Sequence, residues 1–137
     1  MNDRIEEARS VLSKIETAWN AGARSWNPHA LTAVYTPDAL FFGGRPGHSV
    51  GAEAIRGYFA SYDGVIESAT LDLVEQHLIP LADDCFLAQG FGEFMFALSG
   101  GRTSTSRLRT TLVIGLHEGE WRIRQHHFSA EPESPPI

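Results

Sequence analysis

Residues Arg107 to Ser129 read RLRTTLVIGLHEGEWRIRQHHFS, and this stretch decides the fold. Thr110, Thr111, Val113, Ile114, Trp121, Ile123 and Phe128 are β-branched or aromatic, the types that suit a pleated surface. Glu118-Gly119 separates two such runs, and glycine accepts a positive φ without steric cost. The stretch therefore reads as a β-hairpin of two long strands. Successive strand residues point to opposite faces. On a regular second strand Trp121, Ile123, Gln125, His127 and Ser129 share one face, and Arg122, Arg124, His126 and Phe128 share the other. Neither face is purely polar. Both are expected to be covered, one by the chain's own helices and one by a second copy.

Upstream of the hairpin, the chain divides into a helical part and a strand part. Ile5, Ala8, Leu12, Ile15 and Trp19 recur at spacings of three and four, which predicts a helix over 3–22 with one apolar stripe. Asp3 with Glu6 reads as its capping box and Gly22 as its stop. Asn27-Pro28 predicts an N-cap and first turn of a second helix, carrying Leu31, Val34 and Tyr35 inward and ending before Pro37. A short strand over 39–42, a Gly- and Pro-rich loop over 45–50 and a third helix over 52–62 follow. Then come strands over 68–79, closed by Pro80, and over 85–98, turning at Ser99-Gly100-Gly101 into the hairpin. The tail from Ala130 holds three prolines and is expected to be extended or disordered. Helices first and a meander of strands after predict an α+β domain over 1–137, with three helices on one face of a strongly curved antiparallel sheet.

Composition narrows the function classes. With 11 basic against 17 acidic residues the net charge is −6, which opposes nonspecific nucleic-acid binding. No apolar run approaches the roughly 20 residues that cross a bilayer, and the first residues are charged, unlike a secretory signal. The single cysteine, Cys85, forms no internal disulfide, which suits a reducing cytoplasm. Histidines at 29, 48, 77, 117, 126 and 127 show no paired ligand spacing, so neither a metal nor another cofactor is expected.

Three segments carry a family resemblance: WNAG at 19–22, YTPDALFFGG at 35–44 with VGAEAIRGYF at 50–59, and TTLVIGLHEGEWRIRQHHFSAEP at 110–132. Together they resemble the nuclear-transport-factor-2-like (NTF2-like) superfamily of cone-shaped domains. Within it they look most like the SnoaL-like branch and the association domain of calcium/calmodulin-dependent kinase II. The superfamily hosts isomerases, dehydratases, hydrolases, cyclases and non-enzymatic assembly domains, so the resemblance implies a fold more than a reaction. One departure matters. The place that matches the catalytic aspartate of the family's ketosteroid isomerases is Phe42-Gly43-Gly44, without a carboxylate, and the helix-1 tyrosine of those enzymes matches near Ile15. Asp38 matches the family's other aspartate, which more often turns the chain.

His126 and His127 are the candidates for acid–base work, since histidine titrates near physiological pH. Being adjacent, they point to opposite faces and cannot share one site. The resemblance places Arg124, His126 and Phe128 on the pocket side. The apolar pattern of Trp121 and Ile123 draws His127 inward instead. The reading adopted is His126 in the pocket with Tyr58 as second proton donor or acceptor, and His127 as the alternative; both histidines could also be structural. Phe42, Tyr62, Phe91, Phe94 and Phe128 are expected to wall the pocket. Arg109 and Arg124, with Arg107, would form a cationic patch that takes a carboxylate, unless they are surface residues paired with Glu93 or Glu120. The expected function is binding of a small organic ligand, with cofactor-free acid–base chemistry in the cone. The alternative is a non-catalytic assembly domain. A homodimer is expected in either case, because an inward His126 would leave Trp121, Ile123, Gln125 and His127 as an exposed patch.

Overall fold

The computed structural model describes residues 2–137. Helix α1 runs over Asn2–Ala23, α2 over Pro28–Thr32 and α3 over Ala52–Ala60. Six strands follow the order β1 (Tyr35–Phe42), β2 (Ser49–Val50), β3 (Ile66–Ala82), β4 (Cys85–Leu98), β5 (Thr103–His117) and β6 (Glu120–Ala130). They form one curved sheet in the order β2-β1-β6-β5-β4-β3. The α+β expectation holds. The sheet is mixed: β1 pairs with β6 in parallel, and every other pairing is antiparallel. The strand near 39–42 lies one place in from the edge, because the two-residue β2 pairs outside it.

Local chemistry accounts for the helices. The α1 stripe buries Ala8, Leu12, Ile15 and Trp19, as the spacing predicts, together with Val11 and Ala23. The helix already starts at Asn2, so Asp3 sits in its first turn, where an acidic group suits the helix dipole. Gly22 does not stop it. A Cβ there would stand 3.0 Å from the Leu31 nitrogen, so glycine allows α1 and α2 to approach. The α2 cap is as expected, with the Asn27 side chain accepting from the Ala30 N–H at 3.1 Å and Pro28 opening the helix. The helix then ends early. Tyr35 belongs to β1, and Pro37 sits in the gap between the Tyr35 and Leu40 pairings with β6, where no ladder bond is lost. Residues 131–137 are exposed and take neither helix nor strand.

At the far edge of the sheet, α1 ties down β3. The Asn20 amide donates to the Leu71 carbonyl at 2.8 Å and its oxygen accepts from the Leu71 N–H at 2.7 Å. Glu16 accepts from the Leu73 N–H at 2.6 Å. Pro80 does not break β3; it pairs opposite Phe86 on this edge, where its missing N–H disturbs no ladder.

Two β-bulges set which residues face the helices. In β3, Glu75 takes φ +52° and the register slips between Val74 and His77, so Gln76 and Leu78 turn inward and His77 outward. Gly90 lies across from this bulge, where a Cβ would stand 2.5 Å from the Glu75 carbonyl oxygen. In β6 the slip falls at Arg124: Val113 pairs with Gln125 while Ile114 pairs with Ile123. A bulge reverses the side-chain alternation beyond it. Ile123, His126 and Phe128 therefore all face inward and are buried, and Arg124 is exposed. This corrects the regular alternation expected for β6, which set Ile123 against His126. The hairpin turn is as read, with Glu118 at φ +50° and Gly119 at φ +83°.

Candidate functional site

The helices and the concave face of the sheet enclose a cavity of about 700 Å³. Its wall is aromatic: Trp19 from α1, Trp26, Phe41 from β1, Tyr58, Phe59 and Tyr62 from α3 and the turn after it, Phe94 and Phe96 from β4, and Phe128 from β6. Leu98, Leu108, Ser104 and Ser106 complete one side. Among the described residues no Asp, Glu, Lys or Arg lines it. A cavity of this size, mostly apolar with a few polar groups, is the usual form of a small-molecule site.

His126 is the most constrained polar group in the wall. It is 3% exposed. Its ring lies between Phe128, at 3.7 Å and 12°, and Phe41, at 4.2 Å and 19°. Its Nδ1 is 2.8 Å from the hydroxyl of Tyr35, which is itself 1% exposed. The Trp19 indole N–H donates to the same hydroxyl at 3.3 Å. Three residues from α1, β1 and β6 thus form one buried polar chain inside an aromatic core. Burial holds the His126 ring well below its ordinary pKa, and the neighbouring His127 pushes it the same way. Burial likewise holds the Tyr35 hydroxyl well above its usual range, against the lowering effect of the Trp19 bond. At neutral pH His126 is therefore a neutral imidazole and Tyr35 a neutral phenol.

Tyr58 is the second polar group. Its hydroxyl accepts from the Gly44 N–H at 2.8 Å, and burial raises its pKa despite that bond. Its ring lies against the backbone at Gly43, where a Cβ would stand 2.5 Å from the Tyr58 Cζ. Within the Phe42-Gly43-Gly44 segment that matches the isomerases' catalytic aspartate, the Tyr58 ring thus occupies the space a side chain at Gly43 would need.

The structure brings seven of the expected residues to the cavity: His126, Tyr58, Phe42, Tyr62, Phe94, Phe128 and His127. Phe42 and His127 are exposed, and their rings meet at 5.1 Å with His48 stacked on Phe42 at 4.4 Å. Phe91, Arg109 and Arg124 are not in the wall. Odd-numbered residues of β4 and β5 face away from the helices, which puts Phe91 and Arg109 on the convex side. Arg124 is the bulged residue and folds over Gly115. Arg107 sits over the Phe91 ring at 4.2 Å and pairs with Glu75 at 2.7 Å and Glu93 at 2.9 Å. Arg107 is thus paired on the outer surface and Arg109 and Arg124 lie outside the cavity wall, so the expectation of a carboxylate ligand loses its residues. Tyr35 and Phe41 were missed. Tyr35 was read as helical because Pro37 resembles a helix stop, and nothing in the sequence links it to a residue 91 positions away. Among the described residues, no group of three His, Cys, Asp or Glu stands close enough to hold a metal ion.

A model of the SnoaL-like domain family matches residues 12–132. The chain belongs to the SnoaL-like domain family. No curated protein sequence matches it. Solved structures agree on the NTF2-like fold. A candidate calcium/calmodulin-dependent protein kinase II association domain from Xanthomonas campestris is 28% identical, with a TM-score of 0.82 over 93% of this chain and 89% of the other. A candidate scytalone dehydratase from Novosphingobium aromaticivorans covers all of both chains at a TM-score of 0.79 and 9% identity. An NTF2-like superfamily protein from Salmonella enterica covers 94% of this chain and 96% of its own at 0.75 and 18%. The last two likenesses lie in the fold alone.

Proposed function

We propose that this SnoaL-like domain binds a small, neutral, largely apolar ring compound in its cone, and that His126 and Tyr58 supply cofactor-free acid–base chemistry to it. One observation carries the reading: a cavity of about 700 Å³ has an aromatic wall and a neutral histidine held in place by a buried hydrogen bond. Structural histidines do not need a cavity beside them. An uncharged wall selects against a carboxylate, which would lose its hydration without gaining a cation. The Tyr58 hydroxyl lines the same wall, where its oxygen accepts from the Gly44 N–H.

A ligand screen by thermal shift tests the reading, since a ligand that binds the native state raises apparent stability. Trp19 and Trp26 line the cavity, so tryptophan fluorescence reports occupancy directly. Neutral aryl ketones, phenols and arenes should raise Tm and change the fluorescence, and His126→Ala or Tyr58→Phe should weaken the response. A panel that leaves both signals unmoved at millimolar concentration would refute it. Turnover in the same screen separates an enzyme from a binding domain.

The likeness to the Xanthomonas campestris protein favours a second reading, a non-catalytic assembly domain. Both readings include a homodimer through the convex face of the sheet, on which Met95 is 57% exposed and Phe91 and Val113 are half-buried. Among the described residues no helix is long and apolar enough to cross a membrane, and a cytoplasmic location belongs to the proposal.

A further inference from the structure

The reading above leaves open which proton His126 shows to a ligand. A neutral imidazole carries one N–H and one lone pair, and the partner of one nitrogen fixes the role of the other. Tyr35 is that partner here, and its own bonds decide the direction. The Trp19 indole nitrogen can only donate, so the Tyr35 oxygen accepts from it. The Tyr35 proton then needs an acceptor. Tyr35 is buried, and among the described residues its only other hydrogen-bond partner is His126 Nδ1, at 2.8 Å. The opposite arrangement, with Nδ1 donating, would leave the Tyr35 proton buried and unpaired, a cost of about 1–3 kcal/mol in general. The chain of donors therefore runs from Trp19 to Tyr35 to Nδ1. The proton of the imidazole resides on Nε2. That nitrogen makes no hydrogen bond, and it is not among the buried polar atoms without a partner, so it opens toward the cavity that the ring lines.

We infer that His126 presents Nε2–H to the cavity as a hydrogen-bond donor, with Tyr35 as the positioning residue that fixes this tautomer, and that the site selects ring compounds bearing a neutral acceptor oxygen, such as an aryl ketone. This rests on the proposal that the cavity binds a ligand. It deepens that proposal by naming the group recognised. In this state His126 cannot take a proton through Nε2. It keeps its Nε2 proton and donates a hydrogen bond that polarises the carbonyl, and the stacked rings of Phe41 and Phe128 hold the donor in one plane. The Tyr58 oxygen already accepts from the Gly44 N–H, so the donor that the wall turns to an acceptor oxygen is the His126 Nε2–H, with no carboxylate beside it among the described residues.

Two measurements test this. Long-range ¹H–¹⁵N correlation of the histidine side chains, assigned by comparing wild type with His126→Gln, reports the tautomer without any ligand. His126 should show a protonated Nε2 and a bare Nδ1, and Tyr35→Phe should give a mixture of tautomers. A His126 protonated on Nδ1 in the wild-type protein overturns the inference. The second measurement compares acetophenone with ethylbenzene, the same ring with and without an acceptor oxygen, by tryptophan fluorescence. Acetophenone should bind about tenfold more tightly, as expected for a donor left unpaired by the hydrocarbon. His126→Phe, which keeps the stack and removes the donor, should bring the two within about twofold. His126→Gln, which restores an N–H near the same place, should recover part of the preference. Equal binding of both probes, or a preference that survives in His126→Phe, overturns the inference and leaves the binding proposal standing. Binding of neither probe overturns both.

Discussion

Ile123 and His126 lie three positions apart on one strand and face the same side of the sheet. A regular strand would set them on opposite faces. The extra residue, Arg124, absorbs the difference and keeps both the core and the cavity supplied from β6.

Deleting Arg124 is therefore expected to be tolerated. The remaining residues Ile123, Gln125 and His126 already alternate in, out and in, so the shortened strand restores a plain ladder against β5. The far-UV circular dichroism should stay native and stability should change by less than about 3 kcal/mol in urea. Deleting Thr111 on the partner strand has no such escape and should abolish folding, because it inverts every side chain beyond it. An unfolded Arg124 deletion beside a folded Thr111 deletion would contradict the placement of the bulge.

Trp19→Ala should cost about 3–5 kcal/mol, the usual range for truncating a buried tryptophan. Trp19 is 3% exposed and packs edge-on against Trp26, Phe59 and Phe94 at 5.8–6.4 Å. Calorimetry should show a Tm many degrees lower. A melt within a degree or two of wild type would refute the packing described.

Gly43→Ala should destabilise by about 1–3 kcal/mol, as overpacking does. The new Cβ would press on the Tyr58 ring and on Phe41. Tyr58→Ala removes the obstacle, so the double variant should lose much less than the sum of the two single ones. Strict additivity in the urea midpoints would mean that Tyr58 does not lie against this backbone.

Two buried groups give stability a predictable pH profile. Burial lowers the His126 pKa below 6.5, so below that pH the unfolded chain binds a proton that the native one refuses. Stability should therefore hold above pH 6.5 and fall as pH drops through it, by up to about 1.4 kcal/mol per pH unit from this group. Tyr35 has the opposite sense. Its native pKa lies above the unfolded value of 10.0, so stability should fall as pH rises past 10. Urea midpoints across pH 4 to 11 read both arms. His126→Gln should flatten the acid arm and Tyr35→Phe should weaken the alkaline one, to which Tyr58, with its raised pKa, also contributes; unchanged arms in these variants would refute the assignments.

Sedimentation at micromolar concentration tests the proposed homodimer, which predicts a species of twice the 15.1 kDa of one chain. Met95→Asp, on the convex face and away from the cavity, should shift it toward a single chain while Tm changes little beyond the loss of association. A wild-type protein that sediments as one chain would refute it.

The long strands, the hairpin turn, the Asn27 cap and the α1 stripe were all legible, because each rests on a local pattern: period two, Glu118-Gly119, Asn-Pro, or spacing of three and four. The phase of the strands was not. Both bulges sit at charged residues, Glu75 and Arg124, which carry no bulge signature. The marks they leave are across the ladder, as glycines at 90 and 115 where a Cβ would collide. Arg109 and Arg124 looked like a ligand patch because a strand pattern does not show on which side of the sheet a residue sits relative to the cavity. The Trp19–Tyr35–His126 chain was hidden for a different reason: its members come from three elements whose meeting only the tertiary fold dictates.

The tying of β3 to α1 bears on how copies of this chain can meet. An uncovered edge strand is a template on which a neighbour's strand can extend the sheet. Here Asn20 occupies both polar groups of Leu71, Glu16 takes the Leu73 N–H, the Arg9 guanidinium reaches the Gln76 carbonyl at 3.4 Å, and Pro80 has no N–H to offer. At the opposite side β2 is only two residues long. Lateral growth into a continuous intermolecular ladder is blocked along both margins. The proposed homodimer would then use broad side-chain surfaces, whose two-fold pairing closes on itself instead of propagating into fibres.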